Sequence, residues 1–364
     1  MKKIVAFNES GRSQPRNKGE WSKIYAICAC LASGRINTRF VSTIDEDYRV
    51  SGFVIKAQTA KLFLSIEGSQ VSTSRQEKDH NARRIDRVWL AEASSQLLSE
   101  VMDERPVGSF NSSTGDSILQ ELGIEEKFQS NGRSDLQIIV RDLLSGKDEE
   151  LTVFVKSWMG ASPTLLNASN STSIRYQILA PGRELKYSVT QNPTPAELVQ
   201  LIISRGYPVE FKAMNEKFQE NLEAIDPALP EFIASAVFYS YSGIDRDVES
   251  VIGATIQHDP LAMGLSGMDG RFKGAFDQLL QEICAGMTAT KKLRKGIDQR
   301  IGVIEVDRTG MPHLIEIVSN SKFDSYLYSN SKFDSPSRVK FKYGQLVEID
   351  GQLFLDLNFQ IRLK

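Results

Sequence analysis

The chain has 364 residues, 41% hydrophobic and 25% charged, with a net charge of −2. This is the profile of a globular protein with room for about two domains; it argues against a generally basic nucleic-acid binder and leaves local basic clusters open. No run reaches the ~18 apolar residues of a membrane span, the opening apolar patch is too short for a signal peptide, and Cys28, Cys30 and Cys284 are too few for a disulfide framework, so a reducing cytoplasm is expected.

In chain order, residues 1–16 read as a loose polar tail. From 17 to 31 the pattern is that of an amphipathic helix: Trp21, Ile24, Tyr25, Cys28 and Leu31 recur at helical spacing, Asn17 fits the N-cap and Gly34 the stop. The two cysteines of this segment read as core filler. Residues 37–74 alternate and carry β-branched side chains, which suggests a small strand-rich insert. Helices are expected at 87–104 and 115–122.

A hairpin follows, with strands at 134–140 and 151–156. A two-residue loop at Ser145-Gly146 places Asp135 opposite Lys156. Alternation puts Leu136, Ile138, Val140, Leu151, Val153 and Val155 on one apolar face. Asp135, Gln137, Arg141, Glu150, Thr152 and Lys156 fall on the other, with Ile139 and Phe154 as exceptions. Residues 160–168 read as a turn opening a short helix with Pro163 near its first position, and 173–179 as a strand.

Further helices are expected at 196–204, 230–239 and 276–287, and strands at 302–306 and 314–318. In the terminal pair, Val339, Phe341 and Tyr343 alternate with Arg338, Lys340 and Lys342. A three-residue loop, Ile349 to Gly351 with Gly351 left-handed, pairs apolar with apolar. The heptapeptide Ser-Asn-Ser-Lys-Phe-Asp-Ser occurs at 319–325 and again at 329–335, too few copies for a solenoid.

An Asp and a Lys at the open end of a β-ribbon can hold a divalent metal and a water, an arrangement suited to phosphodiester hydrolysis. The same pair reads as a cross-strand ion pair contributing about 0.2–1 kcal/mol. His80, His258 and His313 lie far apart, and no Cys/His cluster has zinc-ligand spacing. The absence of a phosphate-binding glycine loop, a dinucleotide fingerprint and a Gly-x-Ser-x-Gly elbow makes nucleotide and acyl hydrolases poor fits.

Six segments together are more specific than any one motif. They are Asn17-Lys-Gly-Glu-Trp-Ser, Ser134-Asp135, Phe-Val-Lys-Ser at 154–157, Ser-Pro-Thr-Leu-Leu-Asn-Ala-Ser at 162–169, the stretch 326–337, and Leu357-Asn-Phe-Gln-Ile-Arg362. In order and spacing the chain resembles the HpaII-type restriction endonucleases. The resemblance implies a type II endonuclease of the PD-(D/E)xK class, Mg²⁺-dependent and cutting double-stranded DNA at a short palindrome, CCGG being the site associated with the family's namesake. A two-fold homodimer would match such a site. The fold expected is α+β: a central mixed β-sheet flanked by helices, with a nuclease core at 17–180 and an added C-terminal α/β region at 181–364.

Carried onto matching positions, Asp135 is a metal ligand and Lys156 the lysine of the (D/E)-x-K triplet. The acidic slot two residues before Lys156 holds Phe154. Glu150 shares the face but lies six residues from Lys156, about 20 Å at ~3.3 Å per residue. Glu20 is the candidate for the missing carboxylate and metal ligand, and equally the partner of Asn17 in a capping box. Gln137, expected opposite Phe154, reads as a neutral ligand or as polar filler.

For DNA, Ser162, Thr164, Asn167, Asn170 and Thr172 offer phosphate contacts or simply cap a short helix. Asn358, Gln360 and Arg362 share a strand face, which suits base reading or plain solvation. Arg338, Lys340 and Lys342 form the best basic stripe. Phe154 keeps open an alternative: a sequence-specific DNA-binding protein of the same fold with weak or lost catalysis.

Overall fold

The computed structural model describes residues 15–39, 48–56, 61–77, 82–103, 108–124, 136–141, 146–179, 193–243, 245–291, 301–317 and 321–364. The chain divides into two compact units, Met1–Pro163 with Gly296–Asn320, and Thr164–Lys295 with Ser321–Lys364.

The first unit opens with β1 (Arg16–Asn17) and α1 (Lys18–Ser33). Arg16, placed in the loose tail by sequence, is buried over the Trp21 ring and pairs with Phe110. Helix α1 begins where expected because Asn17 Oδ1 accepts the Glu20 amide while Glu20 Oε2 accepts the Asn17 amide, a complete capping box. It stops at Gly34, whose left-handed backbone (φ 68°) donates its N–H to the Cys30 carbonyl. Strands β2 (Arg35–Thr38), β3 (Tyr48–Lys56), β4 (Lys61–Glu67), β5 (Gln70–Ser74) and β6 (Arg83–Asp86) follow, then α2 (Arg87–Met102), β7 (Ser109–Phe110), α3 (Ser113–Leu122), β8 (Leu136–Arg141) and β9 (Asp148–Ser157).

The chain then enters the second unit with β10 (Thr164–Leu166), β11 (Ser173–Ile178), α4 (Pro195–Ser204), β12 (Val209–Met214), α5 (Glu216–Glu223), α6 (Leu229–Ser240), α7 (Val248–His258) and α8 (Asp269–Cys284). It returns to the first unit for β13 (Ile301–Val306) and β14 (Pro312–Glu316). It ends in the second with α9 (Ser321–Asn330), β15 (Ser331–Phe333), α10 (Arg338–Phe341), β16 (Leu346–Ile349), β17 (Gln352–Asn358) and β18 (Ile361–Leu363).

Among the described residues, the first unit is built on a nine-stranded mixed sheet in the order β2-β14-β13-β9-β8-β3-β4-β5-β6, the central sheet flanked by helices that the sequence predicts. Strands β3 to β5, read from sequence as an insert, form a third of it. Gly52 lets β3 pass close to β4, since a Cβ there would sit 2.1 Å from the Leu64 carbonyl oxygen. Its pairing with β8 slips one residue at the same point. Strand β13 runs parallel to β9, and helix α1 packs across β3, β9, β13 and β14.

The hairpin faces are as predicted: Leu136, Ile138, Val140, Leu151 and Val153 are fully buried, and Val155 packs against the same core. The register differs. Leu136 lies opposite Val153 and Gln137 opposite Thr152, two residues from the expected alignment. A shift of two leaves every side chain on its own face, so the apolar pattern cannot distinguish the two registers. The last rung is Arg141 opposite Asp148, joined through two hydrogen bonds of 2.9 and 3.1 Å that fix the observed alignment. The expected turn residue Ser145 lies outside the described residues.

In the second unit β12-β11-β17-β16 form one sheet and β10-β18-β15 another. Phe232 stacks on Phe272 at 4.0 Å in its core. Three expectations fail here. Residues 164–166 are a strand, with a 3-10 turn at Asn170–Thr172 in place of the predicted helix. Residues 338–341 are helical rather than extended. The terminal hairpin turns through two residues, Asp350 and Gly351, both left-handed (φ 50° and 77°), with Ile349 opposite Gln352. Because β16 starts at Leu346, Tyr343 never faces Asn358, which removes the mismatch that favoured a longer loop.

Candidate active site

One end of the nine-stranded sheet gathers polar groups. Lys156 on β9 is the lateral partner of Glu305 on parallel β13, Glu305 that of His313 on β14, and His313 that of Asn37 on β2. Lateral partners share a face, and neighbouring strands lie ~4.8 Å apart. This face is opposite the one that buries Val153, Ile304, Val306 and Leu314 against α1.

Glu305 is the anomaly in β13. Every residue of that strand is buried, and Glu305 at 2% exposure is the single ionisable one. Burying a carboxylate is costly unless donors replace water. Here the Trp158 indole Nε1 donates to Oε1 at 2.7 Å, and the Arg39 guanidinium donates to Oε2. Arg308 in turn lies over the Trp158 ring, 5.6 Å from its centre.

Asp307 closes the turn after β13. Its Oδ1 accepts the Thr309 and Met311 amides and the Thr309 hydroxyl, and its Oδ2 lies 3.1 Å from His313 Nε2. Burial would raise its pKa, but these hydrogen bonds outweigh it and hold the carboxyl at about 2. Beside this end, Met102, Trp158, Met159, Gly160, Ser162 and Arg308 line a cavity of about 310 Å³.

Asp135 lies outside the described residues, although the next residue, Leu136, starts β8. Lys156 is half-buried at the end of β9. Glu20 sits in the first turn of α1 with Oε2 engaged by the cap. Gln137 is buried opposite Thr152, not Phe154. Four residues separate Thr152 from Lys156, about 13 Å at ~3.3 Å each, so Gln137 is not brought to the lysine.

Ser162 lines the cavity of the first unit. The remaining DNA candidates belong to the second. Asn167 and Asn170 are exposed, and Thr164 pairs with Arg362 across β10 and β18. Thr172 and Asn358 are internal: the Thr172 hydroxyl donates to Asn358 Oδ1 at 2.9 Å, and Asn358 Nδ2 donates to the Ser169 carbonyl at 2.8 Å. Gln360 is 7% exposed, and Arg362 pairs with Asp334 at 2.8 Å. The predicted shared face of 358, 360 and 362 is broken, because β17 and β18 belong to different sheets. The basic stripe is broken too, since alternate residues of helix α10 point apart and Lys342 is its left-handed cap. Lys340 and Lys342 are exposed and Arg338 half-buried.

Sequence reasoning missed Glu305, Trp158, Arg39 and Asp307. A signal for the first was present: Ile301-Gly-Val-Ile-Glu-Val306 is an apolar run broken by one carboxylate.

Among the described residues no three His, Cys, Asp or Glu side chains are grouped to hold a metal, and no helix is long and apolar enough to cross a membrane. The donor chemistry fits a hard divalent cation. Beside Lys156 stands the Glu305 carboxylate, whose oxygens accept from Trp158 and Arg39, and Asp135 immediately precedes Leu136 in the chain.

No solved structure matches the chain. The chain is similar to the type II restriction enzyme HpaII of Haemophilus parainfluenzae, 27% identical over 368 residues that cover 95% of this chain and 98% of the relative. With residues 17–363 matching the HpaII restriction endonuclease family model, the chain belongs to that family and is a type II restriction endonuclease, a site-specific deoxyribonuclease acting on double-stranded DNA.

Proposed function

We propose that the enzyme uses Mg²⁺ as the divalent metal that type II restriction endonucleases generally require, and that it cuts at a CCGG-like palindrome as a cytoplasmic homodimer. The observation carrying this reading is the near full-length match to a relative named HpaII, together with a lysine at the polar end of the sheet where β8 begins and β9 ends. When bound, Mg²⁺ supplies an activated water and neutralises charge on the phosphate.

Asp135 holds the metal, with Glu20 as the further carboxylate offered by the sequence. Lys156 orients the attacking water and stabilises the charge that develops at phosphorus. Gln137 is polar filler in this scheme. Ser162, Thr164, Asn167, Asn170, Arg338, Lys340, Lys342 and Arg362 contact DNA. Thr172, Asn358 and Gln360 hold the backbone around Ser169 and β15 in support of those contacts.

Digestion of a CCGG-rich plasmid with Mg²⁺ and with EDTA tests the reading. Discrete fragments are expected only with Mg²⁺, and sequenced ends identify the site. Lys156→Ala should slow cutting ~10²–10³-fold, the usual effect of removing one preorganised electrostatic donor. An intact plasmid, followed by intact genomic DNA, would leave a DNA-binding protein in which Phe154 marks lost catalysis.

A further inference from the structure

We propose that Glu305 is the metal-binding carboxylate that replaces the acid missing at Phe154. The inference rests on the Mg²⁺-nuclease reading and extends it to a residue that sequence spacing does not reveal. A carboxylate at 154 would reach the site from Lys156's own strand. Glu305 reaches it from the next strand: it is the lateral partner of Lys156 in a parallel pair, on the same face and ~4.8 Å away at the backbone. Phe154 lies one step back on that face, with Val303 beside it.

The other carboxyl and amide candidates fit less well. Glu20 completes the capping box at the start of α1 and is not a lateral strand partner of Lys156. Glu150 pairs with Ile139, and six residues, or about 20 Å, separate it from Lys156. Gln137 is about 13 Å along the sheet by the same spacing and is not anionic.

The surroundings of Glu305 are those of a positioned ligand. A carboxylate that binds metal is itself hydrogen-bonded, so that its oxygens are held in one orientation. Trp158 fixes one oxygen and Arg39 the other. Trp158 directly follows β9, two residues after Lys156, and its amide donates to the Val306 carbonyl at 2.9 Å, which ties the carboxylate to the end of β9.

Trp158 also provides a readout independent of cutting. Its indole nitrogen is 2.7 Å from Glu305 Oε1, so Tb³⁺ bound at Glu305 would be excited through this ring. In the full-length protein with a CCGG duplex, Tb³⁺ should give sensitised emission that Mg²⁺ competes away. Trp158→Phe should lose most of that emission while Tb³⁺ retained in dialysis falls less than threefold. Glu305→Gln should weaken Tb³⁺ binding at least tenfold, and adding Phe154→Glu to that variant should restore both binding and cutting, a rescue that a structural role would not produce.

Unchanged Tb³⁺ affinity in a folded Glu305→Gln would overturn the inference. If that variant does not fold, the wild type decides: Tb³⁺ bound without Trp158-dependent emission overturns it equally. Loss of Tb³⁺ binding in Asp135→Asn but not in Glu305→Gln would leave the Mg²⁺-nuclease reading standing and this inference fallen. Cutting by the wild type in EDTA would remove both.

Discussion

Asp307 shows how much a single side chain contributes at the polar end of the sheet. Its pKa falls from the ordinary 3.8 to about 2, and its side chain is 22% exposed. The shift is equivalent to about 2 kcal/mol of folding stability. A depressed carboxyl stabilises fully above its unfolded value and loses that contribution as pH falls through its folded value. Asp307→Asn should therefore cost about 2 kcal/mol near pH 7, with the deficit shrinking from pH 4 towards pH 2. Urea melts across that range measure it. Some of this scale is legible in sequence. Cys28 and Cys30 are fully buried, as their helical spacing implies, and burial pushes the Cys30 thiol up to about 12. The partnership of Lys156 and Glu305 is not legible, because it depends on which strand lies beside β9, and local pattern carries no information about strands far away in the chain.

At the level of elements, some caps mark readable boundaries and others do not: α5, capped by Asn215, and α10, capped by Ser337, were not read as helices. Helix α1 starts and stops at the residues its cap chemistry names. Asn17→Ala should cost ~1 kcal/mol by removing the acceptor for the Glu20 amide, read as a shift in the urea midpoint. Glu20→Gln keeps an acceptor for Asn17 and should leave that midpoint nearly unchanged, so its effect on cutting separates capping from a role at the metal. The repeated heptapeptide shows the opposite case. Its first copy runs into helix α9, and its second leaves that helix and passes through strand β15. Phe323 and Phe333 are both buried, yet the backbone around them differs, because tertiary neighbours override weak propensity. Residues 338–341 failed in the same way, since an alternating pattern over so short a stretch fits either period.

The whole molecule is organised by a return of the chain. The first unit takes β13 and β14 from residues 296–320 after the whole of 164–295 has gone to the second. A fragment of residues 1–163 should therefore not reach the native fold: it leaves β9 without its parallel neighbour and removes Ile304, Val306 and Leu314 from the core around α1. Near-UV circular dichroism of that fragment should lack the tertiary signal of the full chain, and a native-like spectrum would refute the expectation. The mixed sheet and its flanking helices were predictable from element types. The return was not, since an apolar run such as 301–306 does not state which strand it pairs with. This route also sets a timetable. Ile301 joins Thr152 across roughly 150 positions, and a ribosome adding ~5–20 residues per second needs roughly 7 to 30 s to bridge them. For that interval the nascent chain carries β9 as an open edge. The sheet beside Lys156 is thus completed only once residues 301–306 have been made, and a product truncated before them lacks that strand.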